Sequence, residues 1–122
     1  MKVLQRHGNL NEVHILFPAN RSTHFVARAK EVHTQISHKG ISRQHAMLLD
    51  LPSEDIVVVD LDSTNHTSVN GTNVAPFGEI VVKPGSIINF ASIPYIYQIM
   101  AKEQIPDPDA RDKTECLPAS QL

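Results

Sequence analysis

Short runs rich in Val and Ile recur between turn-forming residues over the first hundred positions, and no apolar spacing of three to four persists for the length of an ordinary helix. That pattern predicts an all-β chain. Strands are expected over Lys2–Gln5, Val13–Phe17, His24–Arg28, Thr34–Ser37, His45–Asp50, Ile56–Leu61, Glu79–Val82, Ser86–Phe90 and Pro94–Met100. Asn70-Gly71 and Pro84-Gly85 are strong turn dipeptides, while Pro52-Ser53-Glu54-Asp55 reads as a polar connection between two strands. Many short strands at such spacing point to a β-sandwich, and 122 residues suffice for one core but not for two ordinary domains.

Two runs are apolar on both faces: Ile56-Val57-Val58-Val59, and Ile93 with Tyr95-Ile96-Tyr97 and Ile99-Met100. A strand of that kind needs a second cover. For the last strand, the chain's own tail or a second copy would serve. From Ala101 the composition turns to Pro, Asp, Lys and Gln, with Pro106, Pro108 and Pro118 opposing regular ladders. A folded domain is therefore expected over residues 1–100, with a polar tail or linker of weak intrinsic order over 101–122.

The formal net charge is −2, which gives the chain no global attraction to nucleic acid. Any anion it binds must meet a local patch. One is suggested between residues 28 and 43, where Arg28, Lys30, Lys39 and Arg43 are accompanied only by Glu31. The single cysteine, Cys116, cannot form an internal disulfide. No segment has the length of a membrane-spanning helix and the N-terminus lacks a secretory apolar core, so a soluble, intracellular protein with no membrane partner is expected.

Two phrases combine hydroxyl, amide and cationic donors in what reads as loop sequence: Ser42-Arg43-Gln44-His45, and Ser63-Thr64-Asn65-His66-Thr67-Ser68-Val69-Asn70-Gly71. Such a mixture can hold a phosphate and an adjacent peptide backbone. Ser42, His45 and Asp60 also spell the ingredients of a hydrolytic triad, but a triad needs an oxyanion hole and a cleft that no motif here supplies. The remaining histidines, His7, His14, His24, His33, His38 and His66, have no zinc spacing and no neighbouring cysteine, so no metal is expected.

Over residues 13–100 the chain resembles the forkhead-associated (FHA) family, which has a Gly-Arg pair ending an early strand, then Ser-x-x-His, then Ser-x-Asn-Gly-Thr-x-Val-Asn-Gly. The corresponding residues are Ala27-Arg28, Ser42 with His45, and Ser63 to Gly71 with His66 in place of the usual glycine. The resemblance implies an FHA-type sandwich of two antiparallel or mixed sheets that binds phosphothreonine segments of other proteins without catalysis or cofactor. It implies phosphate contacts from Arg28, Ser42, Arg43 and Thr64, and a contact from the Asn65 carboxamide to ligand backbone. Three roles stay open for His66, toward the phosphate, toward a flanking ligand residue or toward water, while His45, Asn70 and Gly71 support the loops. It also implies a nuclear setting, with a scaffold or mediator role in DNA-damage signalling. A different outcome remains open: a dimerisation module with a degenerate phosphate site, its homodimer formed through the last strand or through a phosphorylated Thr114.

Overall fold

The computed structural model describes residues 1–30 and 32–106. Glu31, Pro108, Thr114, Cys116 and Pro118 lie outside them. Eleven strands are present among the described residues: β1 (Lys2–Arg6), β2 (Val13–Ile15), β3 (Thr23–Ala27), β4 (Thr34–Gln35), β5 (Ala46–Asp50), β6 (Ile56–Asp60), β7 (Thr67–Val69), β8 (Thr72–Asn73), β9 (Glu79–Val82), β10 (Ile87–Phe90) and β11 (Ile93–Ile99). One sheet has the order β2-β1-β11-β10-β7-β8 and the other β4-β3-β5-β6-β9. Pairing is antiparallel except between β3 and β4, so the expected sandwich of antiparallel and mixed sheets is the fold.

Alternation along the strands builds the core. Ile88 and Phe90 of β10, Tyr95 and Tyr97 of β11, Leu48 of β5, and Ile56 and Val58 of β6 are all fully buried. Burial of an aliphatic or Phe side chain of this size contributes about 1.5–3 kcal/mol. In β6 both faces are covered. Val58 lies in the core, while Val57 sits in register between Leu49 and Val81 on the opposite face, where it stays only 8% exposed.

The last strand is central in its sheet. β11 lies between β1 and β10, both of its edges are used, and strand-to-strand pairing with another chain is closed to it. After the short 3-10 turn Lys102–Gln104, the half-buried Ile105 and Pro106 line a groove with Met1, Val13 and Ile15.

Several expected boundaries shift for local reasons. β2 stops at Ile15 because Phe17 enters the left-handed region, with φ 56°, and Pro18 opens a tight turn. The strand expected over Thr34–Ser37 is reduced to two residues. β7 and β8 were not foreseen as strands, although the turn joining them was: Asn70 and Gly71 take φ of 49° and 87°, the pair of positive values that a tight hairpin turn requires. Asn70 then ties the hairpin to β10, its Oδ1 accepting from the Ile87 amide at 2.9 Å.

His24 is a core residue. Its Nδ1 accepts from the Phe17 amide at 3.1 Å, its Nε2 lies 2.6 Å from the Thr34 hydroxyl, and burial followed by the neighbouring His33 and His14 lowers its pKa from 6.5 to about 4. Between those two values the unfolded chain binds the extra proton. The stability due to a neutral His24 is therefore complete above pH 6.5 and is lost as pH falls through 4, about 3 kcal/mol across the window. Urea unfolding from pH 7.5 to 4 should show this loss, and His24→Gln should be less stable at neutral pH yet flatter with pH. Equal slopes for the two proteins would contradict the assignment.

Candidate functional site

At one end of the sandwich the connections β3–β4, β4–β5 and β6–β7 meet. They enclose a shallow depression of about 350 Å³ lined by Arg28, Lys39, Gly40, Ile41, Ser42, Arg43, Thr64 and Asn65. All five residues expected to touch the ligand are therefore brought to one place. Each loop is anchored by a strand end. Arg28 follows directly on β3 and its amide donates to the Ser42 carbonyl at 3.0 Å, which fixes the first loop against the second.

Ser42 and His45 form the hinge of the second loop. His45 Nδ1 accepts from the Ser42 amide at 3.1 Å, and Nε2 lies 2.9 Å from the His66 carbonyl, so Nε2 carries the proton and donates. Burial is the largest influence on the imidazole and holds its pKa below the ordinary value, although the His66 carbonyl and the Asp60 charge act the other way. A neutral ring is what this accept-and-donate arrangement needs. It stands edge-on to Phe90, 6.0 Å between centroids, which ties the loops to the core.

The same contacts dispose of the hydrolytic arrangement. His45 engages the Ser42 main chain and not its hydroxyl, and Asp60 is occupied elsewhere. The Ser42 hydroxyl instead accepts from the Thr64 amide at 2.9 Å, a bond between loops that leaves its own proton free for an acceptor in the depression. Asn65 makes the second tie, its Nδ2 donating to the Gly40 carbonyl at 2.9 Å. The Asn65 Oδ1 and the second amide hydrogen remain for other partners.

His66 occupies the position where the motif more often has glycine, and its φ of 70° is the left-handed conformation glycine enters freely. Its carbonyl receives two bonds, from His45 Nε2 and from the Ala91 amide, each 2.9 Å. The backbone of His66 is thus a junction between β6–β7 and the β10–β11 turn, while its side chain is exposed outside the lining of the depression. Ala27, also at a usual glycine, is buried in β3 without interrupting the strand.

The sequence reading missed the role of Asp60. This carboxylate, 1% exposed at the end of β6, accepts from the Ser63 amide at 3.1 Å, the Ser63 hydroxyl at 2.5 Å and the Thr67 hydroxyl at 2.7 Å. It pins both flanks of the segment that carries Thr64 and Asn65. The available signal was the spacing Asp60-x-x-Ser63, in which a carboxylate reaches the amide and hydroxyl three residues on.

Electrostatically the depression is one-signed. Arg28, Lys39 and Arg43 line it with no carboxylate among its lining residues, and none of the three forms an ion pair among the described residues. Guanidinium groups, an ammonium, a hydroxyl and an amide around a shallow opening suit an anion attached to an extended chain. Among the described residues no cluster of His, Cys, Asp and Glu is arranged to hold a metal.

The profile of the FHA domain matches residues 24–91. Among solved structures, the FHA domain of the CT664 protein from Chlamydia trachomatis superposes with a TM-score of 0.71 at 18% identity, covering 82% of this chain and 98% of that one. A domain from work on phosphothreonine-dependent FHA domain interactions gives 0.70 at 21% identity, covering 82% and 97%. The MEK1 FHA domain in complex with a HOP1 phosphothreonine peptide gives 0.63 at 18% identity, again covering 82% and 97%. No curated protein sequence matches the chain.

Proposed function

Because the chain belongs to the FHA-domain family, whose profile spans residues 24–91, we propose that it binds phosphothreonine-containing segments of partner proteins and joins them to itself without chemical turnover. The observation that carries this reading is the convergence of Arg28, Ser42, Arg43, Thr64 and Asn65 on a single acid-free depression. A phosphothreonine brings roughly −1.5 to −2 charges and three acceptor oxygens. Arg28 and Arg43 supply the counter-charge, and the free protons of Ser42 and Thr64 complete the set of donors. Asn65 meets the ligand backbone beyond the phosphate. A nuclear scaffold role in DNA-damage signalling extends the same proposal and rests on resemblance to relatives alone, since family members with this fold include a Chlamydia trachomatis protein.

Amide NMR with a degenerate phosphothreonine peptide library tests the location. Shifts should concentrate on Arg28, Ser42, Thr64 and Asn65. Perturbation confined to another face of the sandwich would overturn the proposal.

Asn65 allows a finer separation. Asn65→Ala should weaken phosphopeptides of differing sequence by similar amounts, on the order of 1.5–3 kcal/mol where peptide groups lose a partner. Inorganic phosphate, which has no backbone to contact, should bind almost as before. If both ligands weaken equally in parallel titrations, Asn65 acts only through its bond to Gly40 and does not touch the peptide.

A further inference from the structure

At the end of β5 and β6 away from the depression, the connection between these strands is folded around a single atom. Lys2 Nζ, at the start of β1, lies 2.6 Å from Asp50 Oδ1, 3.0 Å from the Leu51 carbonyl, 2.8 Å from the Ser53 carbonyl and 2.9 Å from the Asp55 carbonyl. An ammonium has three protons to donate, and four oxygens surround it. The surroundings are those of a coordinated ion more than of a donor matched bond for bond. The Lys2 side chain is only 16% exposed, so these oxygens are largely shielded from water.

The connection is also held by contacts that do not involve Lys2. The Tyr97 hydroxyl donates to the Glu54 carbonyl at 2.5 Å, the Asp55 amide donates to the Ser53 hydroxyl at 3.2 Å, and Lys83 pairs with Asp55 Oδ2 at 3.3 Å. Asp50 and Ile56 close its two ends in register. Three carbonyls and a carboxylate are therefore kept pointing at one place, an arrangement that is costly without a positive charge at its centre.

Size and charge define which ion fits. Separations of 2.6–3.0 Å exceed the roughly 2.3–2.6 Å at which oxygens hold calcium and the roughly 2.0–2.1 Å required by magnesium. A single carboxylate among the four oxygens balances one positive charge. Carbonyl oxygens at such distances replace the hydration shell of a large monovalent cation.

We propose that the β5–β6 connection is a site for a monovalent cation of potassium or ammonium size, and that the Lys2 ammonium is its resident ion. Tethering gives that ammonium an effective concentration above that of free ions, so the wild-type site is closed to competitors and removal of the side chain opens it.

Thermal melting of Lys2→Ala in chloride salts of equal ionic strength tests the proposal. The variant should melt about 4–8 °C higher in potassium or ammonium chloride than in choline chloride, as expected for an ion that binds only the folded state. Calcium chloride should do no better than choline chloride, and wild type should melt at one temperature in all four salts. Adding Asp50→Asn to Lys2→Ala should diminish the gain from potassium. Lys2→Val, which suits a strand, takes the place of Lys2→Ala if the latter gives no transition. Equal melting of the variant in potassium, ammonium and choline chloride overturns the proposal, as does a potassium gain that wild type shares or that Asp50→Asn leaves undiminished.

Discussion

Arg28→Ala and Ser42→Ala should each lower affinity for a phosphothreonine peptide by roughly 10-fold to 100-fold, because a hydrogen bond to a charged group contributes about 1.5–3 kcal/mol. The two variants differ in what else they lose. The Arg28 side chain is exposed and makes no ion pair among the described residues, so its removal should leave the melting temperature nearly unchanged. Ser42→Ala also removes the acceptor for the Thr64 amide, with a cost of about 0.5–1.5 kcal/mol in stability. Arg28→Lys should fall between wild type and Arg28→Ala, since it keeps the charge and loses the planar fork. Calorimetric titration and thermal melting of the three variants separate these outcomes. A loss of affinity that tracks loss of folding would assign Arg28 to architecture.

The largest effect on stability is expected at Asp60. Asp60→Ala strands two hydroxyls and an amide, those of Ser63 and Thr67, in a region from which water is excluded. Each unsatisfied buried group costs about 1–3 kcal/mol, so a total of roughly 3–9 kcal/mol is expected. Asp60→Asn keeps an acceptor oxygen and should lose about half as much. Affinity for phosphopeptide should fall in both, because Thr64 and Asn65 hang on the segment between Ser63 and Thr67. Urea midpoints give the first quantity and anisotropy the second. An Asp60→Ala protein with wild-type stability would mean that the carboxylate does not organise the loop.

The sheets were legible because short runs of Val and Ile set between turn-forming residues mark strands. β6, β9, β10 and β11 were each placed to within a residue or two at either end. β7 and β8 left no such mark. Thr67 is fully buried, yet its inward hydroxyl is acceptable only because Asp60, seven residues away, receives it. His24 was equally opaque, since a histidine in a strand reads as polar until Phe17 and Thr34 are found to satisfy both ring nitrogens. The site was legible as an ordered set of motifs. Its assembly was not, because the ties between the loops join residues 22 and 25 positions apart, Ser42 to Thr64 and Gly40 to Asn65. Nothing local announces that the Asn65 carboxamide bonds a carbonyl of the preceding loop, or that Gly40 is small so that His38 can close over it.

The most direct test of the account is a calorimetric comparison of one library-selected peptide with and without its phosphate on threonine. The phosphorylated form should bind in the micromolar range, about −8 kcal/mol, and the unphosphorylated form should give no measurable heat at the same concentrations. Equal binding of the two peptides would contradict the central claim that Arg28, Ser42 and Arg43 form a phosphate-dependent recognition site.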